Sequence, residues 1–276
     1  MALVVNTNTA SLNAINNLNQ TQRALSGSYS RISSGCRISK AADDAAGLGV
    51  AESLAAASAS GRQAMRNTND GISIIQTAEG ASDEVGDILS RMRELAVQSS
   101  SETLADEERA YIQTEYEQLA AEIDRIASST NFNGVVLCDG STTSIDVQVG
   151  IYNTADDRIS IVLGDLSAAT LGVDTASVDL STASGAQAAI DAFDTAIDSV
   201  STVRSDFGAV QNRLDSALSN METYTENLEA AESQIRDADF AYETAELAKN
   251  QILQQAGVSV LAQAKSINQG VVNLLG

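Results

Sequence analysis

Proline, histidine and tryptophan are absent from the 276 residues. Average usage would supply roughly fourteen prolines in a chain of this length. Their absence suits long uninterrupted helices, because a proline inside a helix costs about 3 kcal/mol. Without histidine the chain lacks the commonest general base and the commonest metal ligand. His-containing zinc sites and Ser-His-Asp or Cys-His catalysis are thereby excluded, and neither enzymatic activity nor a cofactor is expected. Aromatic residues make up only 4%, too few for a pocket with aromatic walls. No apolar run approaches the length of a membrane-spanning helix. Residues 1–30 lack a basic patch followed by an apolar block and do not read as a secretory signal. Basic residues are also scarce: 16 Lys and Arg stand against 37 Asp and Glu, a formal net charge of −21. Such a chain repels phosphate backbones and anionic lipid, so no nucleic acid and no membrane is expected as a partner.

What is present is helical periodicity. Ile15, Leu18, Leu25, Tyr29, Ile32 and Cys36 fall on alternating steps of three and four, with Gln22 filling one step; that spacing predicts a coiled-coil seam. A second run carries Ile75, Ala78, Val85, Leu89, Met92 and Ala96, and a third Ile112, Tyr116, Leu119, Ile123 and Ile126, with residues 99–107 interrupting between them. The longest run holds one register over residues 190–235, from Ile190 and Phe193 to Leu228 and Ile235, a rod of roughly 70 Å. The last run is Val260, Ala264, Ile267, Val271 and Leu274. It is nearly uncharged, as is the segment 2–22, and a solvated helix would carry more charge on its outer face. Both end segments therefore call for burial against further copies, and disorder of the ends in the free monomer is the corollary.

The middle differs. Asn131-Phe132-Asn133-Gly134 is a turn signal. Ile145, Val147 and Val149, and then Ile159, Ile161 and Leu163, alternate with polar residues, which predicts a β-hairpin at about 144–164. Residues 166–185 read as a short linking loop. The expected fold is mainly α: long coiled-coil helices from both chain ends packed side by side, with a small β-hairpin region at the far end.

Several blocks resemble the bacterial flagellin family. They are Arg31-Ile32-Ser33-Ser34-Gly35 with Arg37-Ile38-Ser39-Lys40-Ala41-Ala42-Asp43-Asp44-Ala45-Ala46-Gly47, Met92-Arg93-Glu94-Leu95-Ala96-Val97-Gln98, and Glu122-Ile123-Asp124-Arg125 leading to Asn131. Later come Phe207-Gly208-Ala209-Val210-Gln211-Asn212-Arg213, Ile235-Arg236-Asp237-Ala238-Asp239, and Gln251 to Gly257 continuing through Val260-Leu261-Ala262-Gln263-Ala264. The resemblance implies a filament subunit of the bacterial flagellum, an extracellular propeller, exported unfolded through a type III apparatus without a signal peptide. It implies an inner-core domain from residues 1–44 and 240–276 and an outer-core domain from residues 45–165 and 186–239. The linking loop at 166–185 then stands where many members carry large outer domains. The implied partners are other copies in a helical homopolymer, an export chaperone, hook-associated and cap proteins, and the vertebrate Toll-like receptor for flagellin. A hook–filament junction protein shares the terminal helices and is the alternative reading.

Candidate sites follow. Ile15, Leu18, Leu25, Ile32, Val260, Ala264, Ile267, Val271 and Leu274 are expected to pack the inner-core helices. Arg91, Leu95 and Glu115 align with positions the receptor contacts in the family, and an exposed Leu95 between charges suits a subunit interface. Asp43 and Asp44 are expected to ion-pair with Arg31, Arg37 or Lys40 at the join between inner and outer core. The apolar tail Val271, Val272, Leu274 and Leu275 resembles the segment that the family's chaperone masks. Cys36 and Cys138 depart from a family that is usually cysteine-free; a mutual disulfide is not expected.

Overall fold

The structure is a computed structural model. It describes residues 7–273, and the surroundings of side chains through residue 266. Five helices carry the chain: α1 (Thr9–Ser34), α2 (Ala45–Ser99), α3 (Asp106–Ser129), α4 (Ala183–Arg236) and α5 (Phe240–Asn273). Between α3 and α4 lie β1 (Asn131–Phe132), β2 (Val135–Val136), β3 (Ser144–Gln148) and β4 (Arg158–Val162). The mainly α architecture matches the expectation. The chain divides into two units: Met1–Ser58 with Asn227–Gly276, and Ala59–Glu226. Those boundaries fall within α2 and α4. The expected divisions at 44/45 and 239/240 instead mark the ends of helices.

In the second unit α2, α3 and α4 close a core with the β strands. Ile75, Val85, Leu89 and Met92 from α2 meet Ile112, Tyr116 and Ile123 from α3 and Phe193, Val200, Phe207 and Leu214 from α4, all buried. The Tyr116 and Phe193 rings meet edge to face at 6.0 Å, a favoured aromatic geometry. α2 ends at Ser99, where the buried Arg109 guanidinium donates to the Ser99 and Ser101 carbonyls and pairs with Asp106. Asp106, Glu107 and Glu108 open α3, where acidic side chains favour the helix dipole.

β1 and β2 form a tight antiparallel hairpin around Asn133 and Gly134, whose φ values are 50° and 83°. Asn-Gly is the pair that tolerates this left-handed two-residue turn. β3 pairs antiparallel with β4, placing Val147 opposite Ile159. Both residues point into the core, while Val162 faces out. Gly71 lets α2 approach this hairpin: a Cβ there would sit 3.0 Å from a Val147 methyl.

Two features differ from the sequence reading. α2 is continuous from residue 45, although its first half has few large apolar residues. Residues 166–182, expected as a linking loop, are a packed strap. Leu166, Ala168, Val173, Val178 and Leu180 are buried in the core. The Tyr116 hydroxyl donates to the Val173 carbonyl at 2.7 Å and reaches the Asp174 carbonyl at 3.0 Å. The Ser, Thr and Asp residues that suggested a loop serve its turns: Asp165 accepts from the Ser167 amide and the Thr170 hydroxyl.

In the first unit α1 and α5 lie side by side and antiparallel. The Asn8 side chain both caps α1 at the Ser11 amide and donates to the Ala264 carbonyl. At the other end the Arg37 amide donates to the Arg236 carbonyl at 2.7 Å, and the Ala238 amide to the Gly35 carbonyl at 2.9 Å. Gly35 ends α1 in the left-handed conformation, φ 70°.

A candidate assembly surface

The α1–α5 seam is a heptad, but not quite the expected one. On α1 the positions turned inward are Ser11, Ala14, Leu18, Thr21, Leu25, Ser28 and Ile32; on α5 they are Glu243, Leu247, Asn250, Gln254, Gly257, Leu261 and Ala264. Of the predicted inner-core residues, Leu25 and Ala264 are buried and Leu18 and Ile32 half-buried. Ile15 and Val260 lie on the outer surface of the pair, 38% and 57% exposed, and Tyr29 joins them. The physical reason is size. Two helices approach closely over Ser, Ala and Gly, as where Leu18 lies 3.3 Å from the place a Gly257 Cβ would occupy, and the larger neighbours are left on the flank. Leu274 lies outside the described residues, and so do the side chains of Ile267 and Val271. The same holds for the tail residues Val272 and Leu275.

The flank is a large apolar surface. Leu12, Ile15 and Tyr29 on α1 and Phe240, Tyr242, Ile252, Leu253, Val258 and Val260 on α5 are all exposed. This unit is also nearly neutral. It holds 7 of the 16 Lys and Arg and 9 of the 37 Asp and Glu, a formal −2, which leaves −19 of the −21 to the other unit. Large apolar side chains exposed in this number on one helix pair mark an interaction site, and low charge removes the repulsion between like copies.

The polar candidates are rearranged. Arg31 pairs with Glu243 across the seam, Nε to Oε1 at 2.6 Å, and not with Asp43 or Asp44. Short carboxylates bond their own backbone more readily than they reach a distant cation. The Asp43 carboxylate accepts from the Ser39 and Lys40 amides, and these amides, Ser39 first, hold it below the usual carboxylate range. Asp44 accepts from the Gly47 amide at 2.9 Å and caps α2. In the other unit Arg91 grips Glu115 through Nε and Nη2, at 3.0 and 2.7 Å, and Glu94 through Nη1 at 3.1 Å. Glu115 and then Glu94 raise the Arg91 pKa through these hydrogen bonds. Leu95 is corrected: it is 1% exposed and belongs to the core, so the surface there is Arg91 and Glu115 without it. Cys36 is half-buried, Cys138 is buried, and both thiols are free.

Glu243 and Asn250 were missed because both are polar. Their signal is the seven-residue spacing of Glu243, Asn250, Gly257 and Ala264, which a search for large apolar residues passes over. Among the described residues no cluster of three or more potential metal ligands forms, and no helix is long and apolar enough to cross a membrane.

The bacterial flagellin N-terminal helical region matches residues 5–143, and the flagellin C-terminal helical region matches residues 190–275. The chain belongs to the bacterial flagellin family. A flagellin of Halalkalibacterium halodurans is 44% identical across 99% of this chain and the whole of that relative. A flagellar filament core protein of Brachyspira hyodysenteriae is 39% identical over the same shares. A flagellin of Salmonella paratyphi A is 48% identical, over 64% of this chain and 35% of that relative. The crystal structure of Bacillus cereus flagellin matches at TM-score 0.50 and 33% identity, covering 56% of this chain and 88% of that one. A putative flagellar hook-associated protein from Vibrio parahaemolyticus matches at TM-score 0.61 and 14% identity, over 71% and 100%; at that identity it shares the fold alone. A flagellin is a structural protein.

Proposed function

We propose that this flagellin is the subunit of an extracellular flagellar filament and that α1 and α5 drive its polymerisation. The observation that carries the reading is the exposed apolar flank, Leu12, Ile15, Tyr29, Ile252, Leu253, Val258 and Val260, on the near-neutral unit. Burying such side chains fully is worth about 1.5–3 kcal/mol each, and only another copy supplies the area. The end helices gain their full order in that step, since a two-helix pair with a seam of Ser, Ala and Gly is weakly held by itself. The filament then transmits rotation as a propeller.

Export as an unfolded chain brings in a chaperone that masks the apolar ends, and growth at the tip brings in hook-associated and cap proteins. Arg91 and Glu115, exposed on α2 and α3, are the residues offered to the vertebrate Toll-like receptor for flagellin. A reporter assay with monomer tests that contact; silence beside an active control flagellin refutes it.

Polymerisation of purified protein tests the main reading. Long filaments in electron micrographs are expected, with the end helices cut by mild protease in the monomer and protected in the polymer. Short caps or no polymer would favour the junction-protein alternative, and equal cleavage in both states would overturn folding of the ends on assembly.

A further inference from the structure

The α1–α5 seam is degenerate in its apolar part. Leu18 and Leu25 are seven residues apart, as are Asn250 and Gly257, or Leu247, Gln254 and Leu261 by the same step. A slip of one heptad, about 10 Å along the axis, returns leucines to leucine-sized places. Two polar side-chain contacts across the seam are exposed and exchange readily with water. These are Gln22 with Gln254 at 2.5 Å and Tyr29 with Gln251 at 3.1 Å.

The Asn8 side chain also bonds the Ala264 carbonyl, and backbone bonds join Arg37 to Arg236 and Ala238 to Gly35 at the far end; among the side-chain contacts described, the charged and buried one is Arg31–Glu243. The Glu243 side chain is 7% exposed and Arg31 is 34% exposed. Glu243 Oε1 takes the Arg31 Nε–H at 2.6 Å, and its Oε2 is buried with no hydrogen-bond partner. A slip of one heptad brings Ala24 opposite Glu243, or carries it past the end of α1. The first alternative leaves a buried carboxylate without its cation, and both break the ion pair. Buried polar groups in a seam fix register because the misaligned states leave them unpaired.

We propose that Arg31 and Glu243 are the register lock of the α1–α5 pair: they set which residues of the two outward faces stand side by side for a second copy. The inference rests on the polymerisation reading in one respect, that the outward face is the one used. The lock is asymmetric. Loss of Arg31 strands a buried charge, whereas loss of Glu243 leaves a guanidinium that water reaches. Glu243 and Arg31 are positioning residues: they act by holding α1 against α5.

The test uses the full chain with Cys36→Ser and Cys138→Ser and spin labels at Ser26→Cys and Gln263→Cys, both exposed. Pulsed electron resonance measures the label separation in free chain and in polymer diluted with unlabelled protein. A parental background that polymerises normally and melts like the unsubstituted chain is the control. Arg31→Met is expected to shift or split the distance distribution by up to about 10 Å and to raise the critical concentration for polymerisation by about tenfold or more. Glu243→Gln should do the same more weakly. The exchanged pair, Arg31→Glu with Glu243→Arg, should restore the parental distance. An unchanged distance in Arg31→Met overturns the lock, even where polymerisation fails. So does an exchanged pair no better than the single variants. If the parental chain forms no polymer, the filament reading fails, while the distances in free chain still decide the register.

Discussion

The two units are written in the same heptad alphabet and come out differently. In Ala59–Glu226 three helices, two hairpins and a strap surround one core, and most of the large apolar residues are covered, with Val97, Tyr111, Val135, Tyr152 and Val162 left exposed. In the other unit the α1–α5 pair offers each helix one partner. A pair buries one narrow stripe, so the seam goes to Ser, Ala, Gly and Leu and the remaining apolar residues stay in water. The charge divides in step: −19 on the covered unit and −2 on the uncovered one. Burial is thus decided by how many elements share a stripe, and hydrophobicity without enough neighbours stays on the surface.

The sharpest way to break this contrast is to charge the flank. Ile252→Asp with Leu253→Asp should abolish polymerisation in a sedimentation assay while leaving the melting of the covered unit unchanged. A lowered melting temperature there would mean that the two surfaces are not independent. The converse substitution is Tyr116→Ala, expected to cost the covered unit about 3–5 kcal/mol in denaturant unfolding. Tyr116→Phe, which keeps the ring and drops only the bonds to the strap, should cost about 1–2 kcal/mol.

Acid separates surface anchors from burial. Arg93 holds the Asp194 carboxylate below its ordinary 3.8, through its hydrogen bond first and its charge second. A depressed carboxylate stabilises the fold above the unfolded value, and that contribution is lost as pH falls through the folded one. The difference in melting temperature between the parent and Asp194→Asn should therefore be present at pH 7 and close as the pH drops below 3.8. The smallest effect is chemical. Burial first, and Asp139 second, push the Cys138 thiol up to about 11. Maleimide at neutral pH should therefore label folded chain once, at Cys36, and twice after unfolding.

Much of this was legible in the sequence, and the failures share a cause. The run from Ile190 to Ile235 reads directly as α4 because most of its steps carry a large apolar residue, with Arg204, Gln211, Thr225 and Glu232 filling the others. Asn133-Gly134 reads as a turn because few other pairs accept its dihedrals. Residues 45–74 hid their helix, since Ala, Ser and Gly give little periodic contrast. The strap hid behind the Ser, Thr and Asp residues of its turns, although Leu166, Val173, Val178 and Leu180 were there to be buried. Leu95 was taken as exposed for its charged neighbours, yet Met92, Leu95, Ala96 and Ser99 share one helix face. Glu243 was invisible because its neighbour in space, Arg31, is 212 residues away in the chain.

Tyr116 has a use beyond packing. The chain has six tyrosines and no tryptophan, and Tyr116 is the one fully buried, fixed against Phe193 and bonded through its hydroxyl. Burial foremost, then the charges of Asp174 and Glu117, keep its phenol protonated beyond the ordinary range. A rigid ring in an asymmetric site gives the near-ultraviolet dichroism that mobile surface rings average away. The covered unit thus carries a built-in optical reporter, readable without any label.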